Sequence, residues 1–292
     1  MTYTIRWEDN SSRILPTKII VVGCGGTGGF VAEGLLRLFG SNGPDILLID
    51  MDRVEEHNLK RQNFYKPDIG KFKAQALAER FALQYGRRIG YSILPFDPEM
   101  KTPMGAGMSS YTIQHDLIIG CVDDSTDARR LMGYCLDDYK GNWLIDAGNG
   151  HHSGQVLIGN VKDIKNLQSG FDKGAGTVDK LPMPTLQAPS LLMPVVKEAP
   201  QVDCAEAVET EDQSPVINQA MATLVLQFVY LLSKQRLPWM GAYIDLDTLQ
   251  TTPVPAEPET IARMLALKVD TLIRPEEPMC HIGKMSRPLE RR

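Results

Sequence analysis

The stretch KIIVVGCGGTGG, residues 18–29, predicts how the chain begins to fold. Residues 18–23 form a short β-branched run that ends in glycine, and residues 30–39 follow with apolar side chains at helical spacing. Glycines between a strand and a helix permit a tight turn and let backbone N–H groups approach a phosphate, where the helix N-terminus adds partial positive charge. The candidate nucleotide-binding residues of this turn are Gly23, Gly25, Gly26 and Gly28.

The same alternation of strands and helices continues along the first half of the chain. Further strands are predicted at residues 46–50, 91–95, 116–121 and 143–146, and further helices at residues 68–85 and 127–136. Continuous apolar strands that alternate with helices indicate a parallel sheet covered on both faces. The predicted fold class is therefore α/β. We expect a Rossmann-like, doubly wound, mostly parallel sheet, with a C-terminal extension that carries a long crossover loop.

The second half of the sequence is less regular. Residues 155–158 are predicted as a strand, but residues 170–202 show no period and contain five prolines. A structureless stretch of this length is either a linker or a functional loop. Order returns at Ser214-Pro215, a typical helix start, and residues 241–247 are predicted as a final strand. We predict an ATP-binding core at residues 1–160, a Pro-rich crossover loop at 161–213, and a helix and strand at 214–292 that complete the same domain and end in a mobile basic tail.

Composition limits the class of protein. The 292 residues are 43% hydrophobic and 23% charged, which suits a globular chain with a substantial core and excludes disorder throughout. The net charge of −5 argues against a generic nucleic-acid binder. Residues 216–232 are apolar, but they carry Asn218, Gln219 and Gln227 and so indicate a buried helix rather than a membrane span. With no secretory signal visible in residues 1–16, we expect a cytoplasmic protein without nucleic-acid or membrane partners.

An acidic residue completes the first nucleotide signal. Asp50 lies at the end of the second predicted strand, where a carboxylate can accept hydrogen bonds from ribose hydroxyls. The glycine turn also fits GxGxxG, the fingerprint of NAD-binding proteins. These residues alone therefore predict a nucleotide site and leave the nucleotide open.

The polar segment that follows separates the two classes of nucleotide. A site for a triphosphate needs several cations and a carboxylate for Mg²⁺, whereas a hydride-transfer site needs few cations beyond the pyrophosphate contacts. Phosphate-oxygen donors of suitable types are Asn58, Arg61, Gln62 and Lys73. Asp123 and Asp124 follow the strand predicted at residues 116–121, at the edge where open α/β sheets bind ligands.

Five motifs in this order carry a family resemblance: GCGGTG, DMDRV, NLKRQ, GKFK and CVDD. On these motifs, residues 18–235 resemble the ThiF/MoeB/HesA superfamily of ubiquitin-activating enzymes. The resemblance implies a homodimer that uses ATP and Mg²⁺ to adenylate the C-terminal glycine of a ubiquitin-like or sulfur-carrier protein. The sequences GNG at 148–150 and SGQVLIG at 153–159 are most similar to bacterial ThiF-type proteins of the PRTRC and related operons, which adds a ubiquitin-conjugating-like protein as a candidate partner.

The resemblance also implies roles for individual residues. It implies that Asp50 holds the ribose, with Asp52 in the same motif, and that Arg61 and Lys73 hold the phosphates. It further implies that two amide side chains line the pocket, namely those of Asn58 and Gln62.

The metal ligand is assigned in the same way. Asp123 directly continues its strand and is the implied Mg²⁺ ligand, although the spacing to Arg129 suits Asp124 slightly better. Relatives often carry two CxxC zinc motifs, and this chain has five cysteines without such a pair, so no structural zinc is expected. Only Arg6 and Arg13 precede the first strand, which makes an arginine supplied in trans doubtful.

Cys204 is the candidate nucleophile. It lies in a C-x-E-A segment before the helix at Ser214, where some relatives form a thioester with the activated protein. A loop thiol could attack an acyl-adenylate if its pKa were lowered, but Asp203 and Glu206 disfavour a thiolate. Cys24 and Cys121 are interpreted as small core residues.

Two other function classes stay open. An NAD(P)-binding oxidoreductase shares the glycine turn and Asp50, but it leaves Arg61, Gln62 and Lys73 without a role. A non-catalytic partner subunit would use the nucleotide fold only for docking. The presence of Lys73 and Asp123 counts against that hypothesis.

Overall fold

The computed structural model describes residues 2–7, 16–99, 115–122, 126–136, 141–193 and 215–275. The strands in these ranges are β1 (Thr4–Ile5), β2 (Lys18–Val22), β3 (Asp45–Ile49), β4 (Gly90–Ser92), β5 (Leu117–Gly120), β6 (Trp143–Asn149), β7 (Ser153–Gly159), β8 (Phe171–Asp172), β9 (Thr177–Val178), β10 (Trp239–Asp245) and β11 (Gln250–Pro255). The helices are α1 (Gly26–Phe39), α2 (Lys73–Tyr85), α3 (Thr126–Tyr134), α4 (Pro184–Gln187), α5 (Pro215–Ser233), α6 (Pro258–Leu265) and α7 (Val269–Leu272). Short 3₁₀ helices span Gly40–Asn42, Glu56–Lys60, Lys66–Asp68, Ile164–Leu167 and Pro189–Leu192.

Eight strands form one sheet in the order β11-β10-β7-β6-β5-β2-β3-β4. The strands from β4 to β6 pair in parallel, with β2 at the centre. The pairings β6–β7, β7–β10 and β10–β11 are antiparallel. The predicted α/β class with a mostly parallel sheet is confirmed, and a run of antiparallel strands extends the sheet at one side.

Helices cover both faces of the sheet. Side chains alternate along each strand, so neighbouring residues of one strand lie in different cores. Ile19 and Val21 of β2 lie in the larger core, together with buried residues of α1, α2 and α5. Ile20 and Val22 lie in a smaller core on the other face, where Met132 of α3 packs. This arrangement is the doubly wound one that continuous apolar strands predict.

Helix α5 is the one described helix whose length and composition would allow it to cross a membrane. Its apolar side is buried in the larger core, and Met221, Val225 and Phe228 are almost completely inaccessible. It lies beside α1, where Gly34 gives room for Leu226. Asn218, Gln219 and Gln227, from which a buried helix was predicted, therefore belong to a helix that packs in the protein core.

The prediction of a structureless segment at residues 170–202 is wrong for the part up to residue 193. β8 pairs with β9, β9 pairs in parallel with β1, and α4 follows. Phe171, Val178 and Leu181 are completely buried. Strands of two residues are too short to show a period in the sequence, so the prolines dominated the prediction. Residues 194–202 lie outside the described ranges, as does the C-terminal tail predicted to be mobile.

Two helices begin at residues other than those predicted, and two elements near the end of the described chain were not predicted. α1 begins at Gly26 within the glycine turn, and α2 begins at Lys73 rather than at residue 68. The strand β11, with sequence QTTPVP, and the helix α6 after it were not predicted. Proline cannot donate to a β-ladder, so Pro253 and Pro255 fit only a strand at the edge of a sheet.

Candidate active site

A cavity of about 480 Å³ opens at the carboxyl ends of the parallel strands. We call it the central cavity; the residues that line it are Val22, Gly23, Gly25, Ile49, Asp50, Met51, Asp52, Gln62, Lys73, Leu94, Pro95, Phe96, Cys121, Val122, Asp127, Ala128 and Leu131. Open α/β sheets bind ligands at this edge, and small-molecule sites typically have volumes of about 300–1,000 Å³. Position and size therefore both fit a nucleotide site.

The turn between β2 and α1 can be built only with glycine at two places. Gly23 has a φ of +87°, and a Cβ there would lie 2.5 Å from the carbonyl oxygen of Cys121. A Cβ on Gly28 would lie 1.8 Å from the carbonyl oxygen of Gly23. The turn is therefore folded back on itself beside the end of β5. Packing accounts for these two glycines, which were predicted as nucleotide-binding residues.

The other two glycines of the turn have different surroundings. A Cβ on Gly25 would meet the Gln62 amide only at 3.8 Å, so the space in front of this residue is open to the cavity. A Cβ on Gly26 would lie 2.4 Å from the side-chain amide of Asn218 on α5. Gly25 is thus the position at which backbone can approach a ligand, while Gly26 lets α5 pack closely against the start of α1.

Asp50 is held rigidly at the floor of the cavity. Its Oδ2 accepts a hydrogen bond from the Cys24 backbone N–H at 2.6 Å, and its Oδ1 accepts one from the Asp52 N–H at 2.8 Å. Burial raises the pKa of Asp50 above its ordinary value, although these two hydrogen bonds favour the charged form and oppose the effect. A carboxylate fixed in this way has lone pairs left for ligand hydroxyl groups.

Lys73 brings positive charge to the cavity. Its ammonium group lies 3.0 Å from the Asp52 Oδ2, and the lysine side chain is only 12% exposed, against 61% for the aspartate. The Lys73 backbone N–H donates to the Asp52 carbonyl oxygen at 2.8 Å, which fixes the start of α2 beside the end of β3. Lys73 and Asp50 therefore face the same cavity from adjoining elements.

The segment between β3 and α2 delivers only one of its predicted donors to the cavity. Asn58 is buried, and its Oδ1 accepts a hydrogen bond from the Glu55 N–H at 2.9 Å, which closes a 3₁₀ turn. Among the described residues that line the cavity, Gln62 is present and Asn58 and Arg61 are not. The Arg61 carbonyl oxygen accepts a 3.4 Å hydrogen bond from Asn218.

A buried ion pair lies next to the cavity and was not predicted from the sequence. The Arg129 Nε of α3 donates to both carboxylate oxygens of Asp146 on β6, at 3.1 and 3.2 Å. A second guanidinium nitrogen donates to the Val122 carbonyl oxygen at 2.7 Å. The arginine thus ties α3 and β6 to the end of β5, one residue before Asp123. A charged residue in the apolar run WLIDAG was the signal that could have indicated it.

Several predicted residues fall outside the described ranges: Asp123, Asp124 and Cys204. Among the described residues, no group of three or more His, Cys, Asp or Glu side chains is placed to hold a metal ion. Cys24 and Cys121 are buried, as expected of small core residues. Burial raises the pKa of the Cys24 thiol well above its ordinary value, so this cysteine is not an activated nucleophile.

A comparison with known families gives the family of this chain. The sequence profile of the ThiF family matches residues 3–265 of this chain. The chain belongs to the ThiF family. The match includes the glycine turn, Asp50, Lys73 and the antiparallel strands, so it covers both sides of the sheet.

Proteins similar to this ThiF-family chain include subunits of activating enzymes. It is 30% identical over 153 residues to SUMO-activating enzyme subunit 2 of Dictyostelium discoideum, a region that covers 52% of this chain and 22% of the relative. It is 32% identical over 141 residues to the NEDD8-activating enzyme E1 catalytic subunit of Caenorhabditis elegans, which covers 47% of this chain and 30% of the relative. The chain therefore spans less than a third of the length of these relatives.

Solved structures show the same fold at low sequence identity. PaaA superposes with a TM-score of 0.53 at 18% identity, over 83% of this chain and 74% of PaaA. Escherichia coli MccB superposes with a TM-score of 0.50 at 17% identity, over 82% of this chain and 62% of MccB. These likenesses concern the fold alone.

Proposed function

We propose that this chain binds ATP in the central cavity and adenylates the C-terminal glycine of a ubiquitin-like or sulfur-carrier protein. The observation that carries the proposal is the largely enclosed ammonium group of Lys73, which shares the cavity with the open side of Gly25 and with Asp50. A cation beside a glycine turn at a helix N-terminus suits the phosphates of a triphosphate. Asp50, at the end of β3, suits the ribose hydroxyl groups.

The cavity fits a nucleotide in both volume and chemistry. Its phosphate end would be Gly25 and the first turn of α1, a 14-residue helix whose N-terminus carries partial positive charge. Its lining also includes the apolar residues Leu94, Pro95, Phe96 and Leu131, which suit the flat face of a base.

The proposed reaction joins two substrates in one cavity. A carboxylate oxygen of the acyl substrate attacks the α-phosphorus of ATP, and the bond from that phosphorus to the bridging oxygen breaks to release pyrophosphate. Lys73 stabilises negative charge as it develops on the phosphate oxygens, a contribution that is strongest in an enclosed site. Membership of the ThiF family and the similarity to SUMO- and NEDD8-activating subunits support a ubiquitin-like protein as the acyl donor.

The proposal includes a Mg²⁺ ion, which would be held by residues outside the described ranges. Asp123, which directly follows Val122 at the cavity wall, is the proposed ligand, with Asp124 as the alternative. When bound, the ion would neutralise phosphate charge during the displacement. We expect Asp123→Ala to abolish Mg²⁺-dependent adenylation and Asp124→Ala to retain it; the reverse result would move the ligand by one residue.

The later steps and partners are proposed on the same basis. The Cys204 thiolate would attack the acyl carbon of the adenylate, form a thioester and release AMP. The acyl group would then pass to a ubiquitin-conjugating-like protein, with the enzyme acting as a cytoplasmic homodimer. With ATP and its cognate protein, the enzyme should form a conjugate that a reducing agent cleaves. Cys204→Ala should lose the conjugate and keep ATP–pyrophosphate exchange. Absence of any conjugate in the unmodified enzyme would end the function at the acyl-adenylate.

Nucleotide binding is tested first, because it needs no protein substrate. Calorimetry should show binding of ATP with Mg²⁺ and none of NAD, and Lys73→Ala should weaken ATP binding about tenfold to a hundredfold, the range for a charge-assisted contact. Lys71→Ala is the matched control, since Lys71 is 44% exposed and pairs with Glu79 outside the cavity. Tight NAD binding without ATP binding would overturn the proposal.

A further inference from the structure

The side-chain amide of Gln62 is an unexplained polar group at the central cavity. The residue is only 9% exposed, and within the described part of the chain its Oε1 is buried without a hydrogen-bond partner. Both amide atoms lie 3.8 Å from the place of a Cβ on Gly25, so the amide faces the open side of the glycine turn. A buried polar atom that lacks a partner costs stability unless a ligand or water supplies one.

The position of this amide is fixed by its backbone and its neighbours. The Gln62 N–H donates to the Asn58 carbonyl oxygen at 2.9 Å, and the Gln62 carbonyl oxygen accepts from the Phe64 N–H at 2.8 Å. The next side chain, Asn63, donates to Glu33 of α1 at 3.0 Å. The segment therefore holds the amide over the glycine turn before any ligand is present.

The chemistry of a carboxamide limits what can satisfy it. The unpartnered Oε1 needs a hydrogen-bond donor from its ligand, and the NH₂ group can donate to a ligand acceptor. Phosphate groups supply acceptors only. The ribose is already provided for by Asp50, which lies at the end of β3. The proposed place of the base is the apolar lining of Leu94, Pro95 and Phe96. A peptide carboxyl terminus supplies both: its carboxyl oxygen accepts, and the N–H of its last residue donates.

We infer that Gln62 binds the last peptide unit of the acyl substrate rather than the nucleotide. Its NH₂ group donates to the carboxyl oxygen and its Oε1 accepts from the amide N–H of the C-terminal residue. The inference rests on the proposed adenylation function and names the substrate class more narrowly: a chain whose final residue carries a secondary amide. Substrates that end in an N-alkylated residue or an ester unit are disfavoured.

The test uses two analogues of an acyl-adenylate, so that no cognate protein is needed. Both are 5′-O-sulfamoyladenosines; one carries an N-acetylglycyl group and the other the O-acetylglycolyl group, in which an ester oxygen replaces the N–H. Calorimetry on the full-length protein should show about tenfold tighter binding of the amide analogue, because the ester leaves a buried acceptor unpaired. Gln62→Leu should bind the two analogues equally.

A matched control applies the same chemical change elsewhere. Gln84→Leu alters an exposed glutamine of α2 and should keep the tenfold preference. Equal binding of both analogues to the unmodified protein would overturn the inference while leaving nucleotide binding intact, and so would a tenfold preference that persists in Gln62→Leu. Failure of the unmodified protein to bind the ATP analogue AMP-PNP and both acyl-adenylate analogues would instead overturn the proposed function.

Discussion

The two sides of the central sheet are expected to differ in how well they tolerate substitutions. In the parallel half, β4 to β6, the strands β2, β5 and β6 are buried on both faces, Gly23 and Gly28 leave no room for a Cβ, and Asp50 is held by backbone hydrogen bonds. The antiparallel wing, β7, β10 and β11, ends in a strand whose residues are almost all exposed. The wing completes the sheet, while the parallel half forms the cavity.

The difference follows from where strands end. In the parallel half every carboxyl end lies at the same edge, so each following turn contributes residues to one place. In the antiparallel wing successive strands run in opposite directions, so their carboxyl ends alternate between the two edges of the sheet. Polar groups therefore collect in the parallel half, and substitutions in the two regions should differ in their effects on stability.

The largest expected difference concerns buried charge. Asp146→Ala leaves Arg129 without its carboxylate in a site where that side chain is 6% exposed, so we expect a loss of about 3–5 kcal/mol in the free energy of unfolding, measured by urea denaturation. Asp247→Ala, in the β10–β11 turn, removes a carboxylate that is 70% exposed and should change stability by at most about 0.5 kcal/mol.

A double variant separates lost charge pairing from lost packing at this site. Replacing both partners, as Asp146→Leu with Arg129→Met, should recover most of the loss, because no unpaired charge remains in the core. If Asp146→Ala lowers the free energy of unfolding no more than Asp247→Ala does, the buried ion pair does not stabilise the parallel half, and the two regions do not differ at this site.

The second difference concerns glycine. Gly28→Ala would place a Cβ 1.8 Å from the Gly23 carbonyl oxygen, so backbone must move, and we expect destabilisation by about 1–3 kcal/mol in thermal or urea unfolding. Gly150, in the β6–β7 turn, has nothing among the described residues within 4 Å of such a Cβ. Gly150→Ala should stay within about 0.5 kcal/mol of the unmodified protein. Equal losses at both positions would contradict the contrast.

The third difference appears as a dependence on pH. Burial raises the pKa of Asp50, so its protonation in the folded state begins at a higher pH than in the unfolded chain. Its contribution to stability is therefore greatest below the ordinary carboxyl pKa of about 3.9 and is lost as pH rises through the raised value. Asp50→Asn has no titratable group at this position and so lacks this pH-dependent contribution to stability. As the pH falls from 7 to 4, the unmodified protein should become more stable relative to Asp50→Asn, measured by urea denaturation at each pH.

A relative stability of Asp50→Asn that does not change with pH would show that the Asp50 carboxylate is not penalised by its surroundings.

The sequence predicts the strands of the parallel half and also residues 155–158 and 241–247 of the wing, which match β7 and overlap β10, but it misses β11. Residues 18–23, 46–50, 116–121 and 143–146 were recognised as strands because each is a continuous apolar run, and the strands β2, β3, β5 and β6 confirm them. β11 was missed because two prolines suggest a loop to any reading of local pattern. Only its place at the sheet edge makes those prolines acceptable, and that place depends on the whole topology.

The candidate site divides in the same way. The glycine turn and Asp50 were predicted because each follows a strand end at short range, and Lys73 was implied by the family resemblance; Gly23, Gly25, Asp50 and Lys73 line one cavity. The pair of Arg129 with Asp146 joins a helix to a strand that follows it, and no spacing rule indicates which buried charges meet. The contact of Asn218 with Gly26 joins residues that are far apart in sequence, so only the folded chain reveals why Gly26 lacks a side chain.

The smallest expected effect is a gain in stability in the wing. Leu249 has a φ of +56° in the β10–β11 turn and is 86% exposed, so it bears the strain of a left-handed backbone without packing in return. Asparagine tolerates this conformation, and Leu249→Asn should raise the free energy of unfolding by about 0.5–1 kcal/mol without changing ATP affinity. The reciprocal control is Gly86→Leu at the end of α2, where φ is +63° and the described chain leaves space for a Cβ. That change should cost about 1–2 kcal/mol, because it introduces the strain that Leu249→Asn removes. A loss of stability in Leu249→Asn would mean that the wing depends on this turn, and the division between a constrained and a tolerant region would then fail at its outermost hairpin.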